Sequence, residues 1–115
     1  LGAMSKQLPS KELVAASSRP LVLAVLAQGE NYGYALLREV ERLSGGALTW
    51  QEGMLYPVLH RLERGGLIEA TWRTAQSGRR RKYYSITRKG LEVLQAERSA
   101  WESMDTTLRK AWGSI

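Results

Sequence analysis

The sequence predicts a mainly α fold with a small β-hairpin wing: a winged helix-turn-helix over residues 5–87, then one C-terminal dimerisation helix over residues 88–115. Three observations carry this. Up to Gly66, apolar residues recur at helical spacing in segments divided by glycine turns. The period then changes to two on either side of Gln76–Ser77–Gly78, as a hairpin requires. After Thr87 the helical period returns and runs to about Trp112.

Leu1–Gly2–Ala3–Met4 reads as an expression remnant before a natural Met4 and is set aside from the fold. Residues 10–28 form the first helical region, with Ser10 as N-cap and Leu13, Leu21, Leu23, Val25 and Leu26 as apolar surface. Pro20 leaves two readings: one kinked helix, or a second helix starting at Arg19–Pro20 with Ser18 as its cap. Gln28–Asn31 is a turn. Tyr32–Ser44 is the second helix, with Leu36, Leu37, Val40 and Leu43 on one face and Arg38, Glu39, Glu41 and Arg42 on the other. Gly45–Gly46 ends it.

Residues 49–66 are the third helix, and the rest is organised around them. Thr49 can cap it while Glu52 reaches back; Leu55, Val58, Leu59 and Leu62 form the apolar stripe; Gly65 and Gly66 suit a left-handed stop. The other face carries Trp50, Gly53, Pro57, His60, Arg61 and Arg64, a set without an acid and suited to a DNA groove. Pro57 interrupts the hydrogen-bond ladder, but its i−4 partner is Gly53, so a helix starting near Trp50 and bending at Gly53–Pro57 is expected. A start at Pro57 itself is the alternative.

Leu67–Ala75 reads as a strand with Ile68, Ala70 and Trp72 on one side, and Arg80–Ile86 as its returning partner with Tyr84 and Ile86 inward. No acid lies between Glu69 and Glu92, a window holding Arg73, Arg79, Arg80, Arg81, Lys82, Arg88 and Lys89. Like charges crowded on a hairpin tip repel one another unless a polyanion neutralises them. The last helix, capped by Thr87, offers Leu91, Leu94, Trp101, Met104, Leu108 and Trp112 as a dimerisation face; Leu94, Trp101 and Leu108 recur every seventh residue. Its length of about 37 Å exceeds what so small a domain can cover, which favours a homodimer over a helix folded back on its own domain.

Composition narrows the function. A chain of 115 residues with net charge +6 is one domain favouring an acidic partner, nucleic acid before anionic membrane. With no cysteine and the single His60, neither a metal cluster nor a Ser/His/Asp triad is expected. There is no carboxylate dyad or phosphate loop, so neither enzyme activity nor a cofactor is expected. The longest apolar run, Leu21–Ala27, is too short to span a bilayer, and a soluble cytoplasmic protein is the default expectation.

Taken in order, Tyr32-Gly33-Tyr34, Gly53-Met54-Leu55-Tyr56-Pro57, Arg61-Leu62-Glu63, Gly66-Leu67-Ile68, Trp72, Gly78-Arg79-Arg80-Arg81-Lys82-Tyr83-Tyr84-Ser85-Ile86-Thr87 and Gly90 resemble the PadR family of bacterial transcriptional regulators. The usual family core reads Gly-Thr-Leu-Tyr-Pro; Met54 replaces its threonine here. The resemblance implies a dimeric repressor on a palindromic operator in double-stranded DNA. By position, Tyr56 would meet a phosphate or the groove edge, and Arg79, Arg80 and Arg81, with Lys82, would form the wing contact. Gln51, Met54, His60 and Arg61 are the candidates for base or near-base contact, with Pro57 and Arg64 on the same surface. His60 is expected to be a neutral polar contact or a satisfied surface residue rather than a pH switch.

The chain is also similar to multidrug-sensing members, which carry a tryptophan midway along the last helix and an acid four residues later, here Trp101 and Asp105. That similarity implies a small planar aromatic or cationic ligand stacked at the dimer centre. Leu13, Glu97 and Arg98 complete the candidate ligand contacts. Glu97 and Arg98 depart from the apolar residues of those relatives, so a salt-bridged centre and a plain dimer core stay open beside a drug pocket. A reading of another class is a winged helix whose basic wing binds an acidic protein.

Overall fold

The structure, a computed structural model, describes residues 9–113. The remnant at Leu1–Met4, the domain start at residue 5 and the helix end at residue 115 lie outside the described residues. The elements run α1 (Lys11–Ala27), β1 (Asn31–Tyr32), α2 (Gly33–Leu43), α3 (Glu52–Arg64), β2 (Ile68–Thr74), β3 (Arg80–Ile86) and α4 (Arg88–Trp112).

Of the two readings open at Pro20, the single helix holds. Ser10 accepts from the Leu13 N–H at 3.2 Å, and α1 continues through Pro20 to Ala27. Ser18 is not a cap: it is buried, and its hydroxyl donates to the Ala15 carbonyl at 3.0 Å. A hydroxyl bonded back into its own helix is satisfied without leaving it.

α2 ends in a Schellman stop. The Gly45 N–H donates to the Arg42 carbonyl and the Gly46 N–H to the Glu41 carbonyl, with both glycines at positive φ. α3 ends the same way, Gly66 donating to Glu63 and Leu67 to Leu62, but only Gly66 is left-handed; Gly65 stays helical at φ −79°. Leu43, expected on the buried face of α2, is 54% exposed because it occupies the last helical turn, beyond the reach of the core.

The start of α3 corrects the expectation. The helix begins at Glu52, not near Trp50. Gln51 holds the N-cap position with extended backbone, and neither Thr49 nor Glu52 makes a capping bond. Trp50 therefore precedes the helix and turns into the core at 9% exposure, instead of sharing the groove-facing side. The helix then runs unbroken through Pro57.

The sheet has three antiparallel strands in the order β1-β3-β2. The hairpin register pairs Ile68 with Ile86 and Thr74 with Arg80. β1 was not expected; Asn31 and Tyr32 pair with Tyr84 and Tyr83, and two residues are too few to show alternation. The core gathers Val22, Leu23 and Leu26 from α1, Leu36 and Val40 from α2, Leu55, Leu59 and Leu62 from α3, and Ile68 and Tyr84 from the sheet.

α4 divides in two. Thr87 caps it by accepting from the Gly90 N–H at 3.0 Å. Val93 and Leu94 pack against the core, and Glu97 forms an ion pair with Arg19 of α1. From Arg98 to Gly113 every residue is exposed. The stripe expected to face a partner is thus split: Leu94 joins its own domain, whereas Leu91, Trp101, Met104, Leu108 and Trp112 stay exposed.

Gly90 is buried where α4 crosses the end of the hairpin. A Cβ there would collide with the Leu67 carbonyl oxygen and lie 2.7 Å from Ile86 Cγ1. Backbone cannot yield as a side chain does, so Gly90→Ala is expected to destabilise the fold by about 3 kcal/mol, seen as a lower urea midpoint at unchanged slope.

Candidate nucleic-acid interface

α3 presents Gln51, Glu52, Gly53, Tyr56, Pro57, His60, Arg61 and Arg64 to solvent. Met54, among the expected base contacts, is half-buried against the core, which sets it back from that surface. The exposed residues fan around the helix in two directions. Tyr56 and His60, one turn apart with ring centroids 6.5 Å from each other, face the hairpin. Arg61 lies towards α1, where it lines a cleft of about 330 Å³ with Arg19 and Lys89.

Between the start of α2, the exposed side of α3 and the hairpin runs a groove of about 450 Å³, lined by Tyr32, Gly33, Tyr56, His60, Trp72 and Arg80 among others. A Cβ at Gly33 would sit 2.7 Å from the Tyr56 hydroxyl oxygen, so a side chain there would push the phenol away from its place against the first turn of α2. Glu52, expected to cap α3, instead lines this groove.

The wing cations do not form one equivalent patch. Successive strand residues point to opposite faces, and each cation has its own company. Lys82 lies 4.0 Å from Glu63 and 5.6 Å from the centre of the Tyr84 ring. Arg81 stacks 4.4 Å over Tyr32. Arg73 sits 5.7 Å over Tyr83 and forms an ion pair with Glu30 at 2.8 Å. Arg80 lies 4.8 Å over Trp72. Tyr32 and Tyr83 themselves meet edge to face at 5.4 Å, which ties β1 to the hairpin. The Tyr32-Gly33-Tyr34 motif was visible in the sequence, but its part in holding Tyr56 and Arg81 needed the strand pairing.

The candidate ligand residues are spread along α4 and α1. Asp105 pairs with Arg109 at 2.9 Å and Arg98 with Glu102 at 3.1 Å, each one turn apart on their own helix, while Glu97 pairs with Arg19. Trp101 is 40% exposed, and Leu13 is exposed on α1. Among the described residues no three His, Cys, Asp or Glu are grouped to hold a metal ion, and no helix is long and apolar enough to cross a membrane.

Comparison with known proteins adds to this geometry. Residues 22–96 match the transcriptional regulator PadR-like family. The chain is 31% identical to a PadR-like transcriptional regulator of Bacillus cereus whose crystal structure is known, with a TM-score of 0.81 over 91% of this chain and 100% of that one. It is 34% identical over 94 residues to the transcriptional regulator Rv3488 of Mycobacterium tuberculosis, covering 82% of this chain and 84% of that protein. Over 91 residues it is 29% identical to the Escherichia coli transcriptional regulator YqjI, of which the chain spans 42%.

Tyr84, at the floor of this surface, is 2% exposed, and burial, then Glu63 and Tyr56, push its hydroxyl above the usual 10.0. A raised folded value means that its contribution is fully present below pH 10 and is lost as pH rises through that higher value. Melting temperature is therefore expected to fall more steeply above pH 10 in the natural chain than in Tyr84→Phe, with the two curves parallel at neutral pH.

Proposed function

Because the chain belongs to the PadR-like family of transcriptional regulators and is a DNA-binding winged helix, we propose that it acts as a homodimeric repressor on a palindromic operator, released by a small planar ligand at the dimer centre. The observation that carries this reading is the uncovered half of α4. Trp101, Met104, Leu108 and Trp112 lie exposed beyond the last residue that the domain grips. Trp101 and Trp112 are 40% and 51% exposed. At roughly 150–250 Å² for a whole aromatic side chain, the two from each of two copies supply about a quarter of a standard interface of about 1,600 Å², and Met104 and Leu108 add to it. A two-fold axis through α4 would present both α3 helices and both wings to one duplex face.

On that duplex, Arg79, Arg80, Lys82 and the Tyr56 hydroxyl are the backbone contacts that fix register, and Gln51, His60, Arg61 and Arg64 reach base edges or the adjoining phosphates. Pro57 keeps the exposed side of α3 free of a longer side chain. Trp101 supplies a flat face to a planar ligand and Asp105 an attraction for a cation. The Asp105–Arg109 pair is a surface pair one turn apart, weak enough for a ligand to displace. A regulator of this kind works in the cytoplasm, where its operator is.

In sedimentation equilibrium the expected particle has twice the 12.9 kDa chain mass; a lone chain at micromolar concentration would end the dimer reading. Operator affinity is expected to fall steeply with salt, and Arg79→Ala with Arg80→Ala, which removes two cations from each of two protomers, to flatten the log–log slope by about 3 to 4. Tryptophan fluorescence should be quenched by planar cations in the natural chain and far less in Trp101→Ala; equal quenching in both would place the ligand elsewhere.

A further inference from the structure

Trp72 is the least expected aromatic in the structure. It sits in the middle of β2, on the side of the sheet that faces α3, yet it is 56% exposed. The core does not account for it, since Ile68 is buried and Ala70 half-buried on the same side of the strand, nearer the helices. Trp72 pairs directly with Lys82, which puts Arg80 on the diagonal position of the same face, within reach of a long side chain. The Arg80 guanidinium lies 4.8 Å over the indole.

The company of the other wing cations shows what this contact does. Arg73 and Lys82 each have an acid close by, Glu30 at 2.8 Å and Glu63 at 4.0 Å, and an acid that orients a cation also offsets part of its charge. Arg81 is stacked on Tyr32, on the opposite face from Arg80. Among the described residues Arg80 has neither an ion-pair partner nor any ring but Trp72. An indole face orients a guanidinium without neutralising it.

We infer that Trp72 is a positioning residue of the DNA-binding surface: its ring holds Arg80 beside the groove of Tyr56 and His60, charged and aimed at the nucleic-acid backbone. The inference rests on the DNA-binding reading. It predicts that Trp72 acts on DNA only through Arg80. Without the ring, Arg80 must give up its freedom of rotation on binding, a cost that the stacked form has already met.

A thermodynamic cycle on the full chain tests this, with fluorescence anisotropy against the tightest duplex recovered from a random-sequence library. Trp72→Leu is expected to weaken binding about two- to fivefold, the worth of one exposed cation–ring contact. Trp72→Phe, which keeps a ring face, restores most of the loss, a rescue that a general packing role for a bulky indole would not give. In an Arg80→Ala background Trp72→Leu changes nothing further. Equal losses in both backgrounds, or full affinity in Trp72→Leu, would overturn the inference. A library that yields no bound duplex removes the DNA-binding reading itself, and this inference with it.

Discussion

Four segments of the chain meet at one knot of hydrogen bonds, and the placement of the candidate nucleic-acid surface depends on it. The Thr87 N–H donates to the Leu67 carbonyl at 3.0 Å, its hydroxyl to the Gly66 carbonyl at 2.7 Å, and the Lys89 ammonium to the Gly65 carbonyl at 3.0 Å. The end of α3, the start of β2, the end of β3 and the start of α4 are thereby fixed to one another. Gly90 is the steric condition for it, because the first turn of α4 lies directly on the Leu67 carbonyl. The hairpin can thus present Arg80 next to Tyr56 although the two belong to different layers. The side chains of one threonine and one lysine satisfy the carbonyls that a helix end leaves over, on the solvent side of the crossing.

Charge is distributed on the same surface with more discrimination than a basic composition suggests. Acids draw some cations inward, as Glu30 does Arg73 and Glu63 does Lys82, while rings hold others at full charge. Surface ion pairs contribute little to stability. Their effect here is on orientation: Arg73 is drawn towards the turn before β1. Among the described residues, Arg79, Arg80 and Arg81 near the hairpin tip and Arg61 and Arg64 on α3 have no acid paired with them.

Much of this was legible in the sequence because helical spacing, glycine stops and the two-residue period are local signals. Ser10 and Thr87 cap the helices they were expected to cap, and the hairpin strands fall within a residue of their expected ends. The misses come from interactions that sequence distance hides. Trp50 looked like part of the groove face because the helix was started two residues early, and tertiary packing settles which way a residue just before a helix turns. β1 depends on a partner strand some fifty residues away. Trp72 shares a side of its strand with Ile68 and Ala70 as expected, but its exposure depends on how far the helices reach across the sheet. At the site, the wing arginines could be named but not told apart, because their differences lie in cross-strand diagonals.

The Arg19–Glu97 pair marks the last place where α1 holds α4. One carboxylate oxygen of Glu97 meets the guanidinium, while the other is buried with no partner among the described residues. Past it, fifteen helical residues project as a lever of roughly 22 Å. Leverage magnifies angle: a tilt of ten degrees at the fulcrum carries Trp112 sideways by about 4 Å, most of one helical turn. The geometry at this single anchorage therefore sets, with a gain fixed by length, how far apart anything attached to the two ends of α4 will stand.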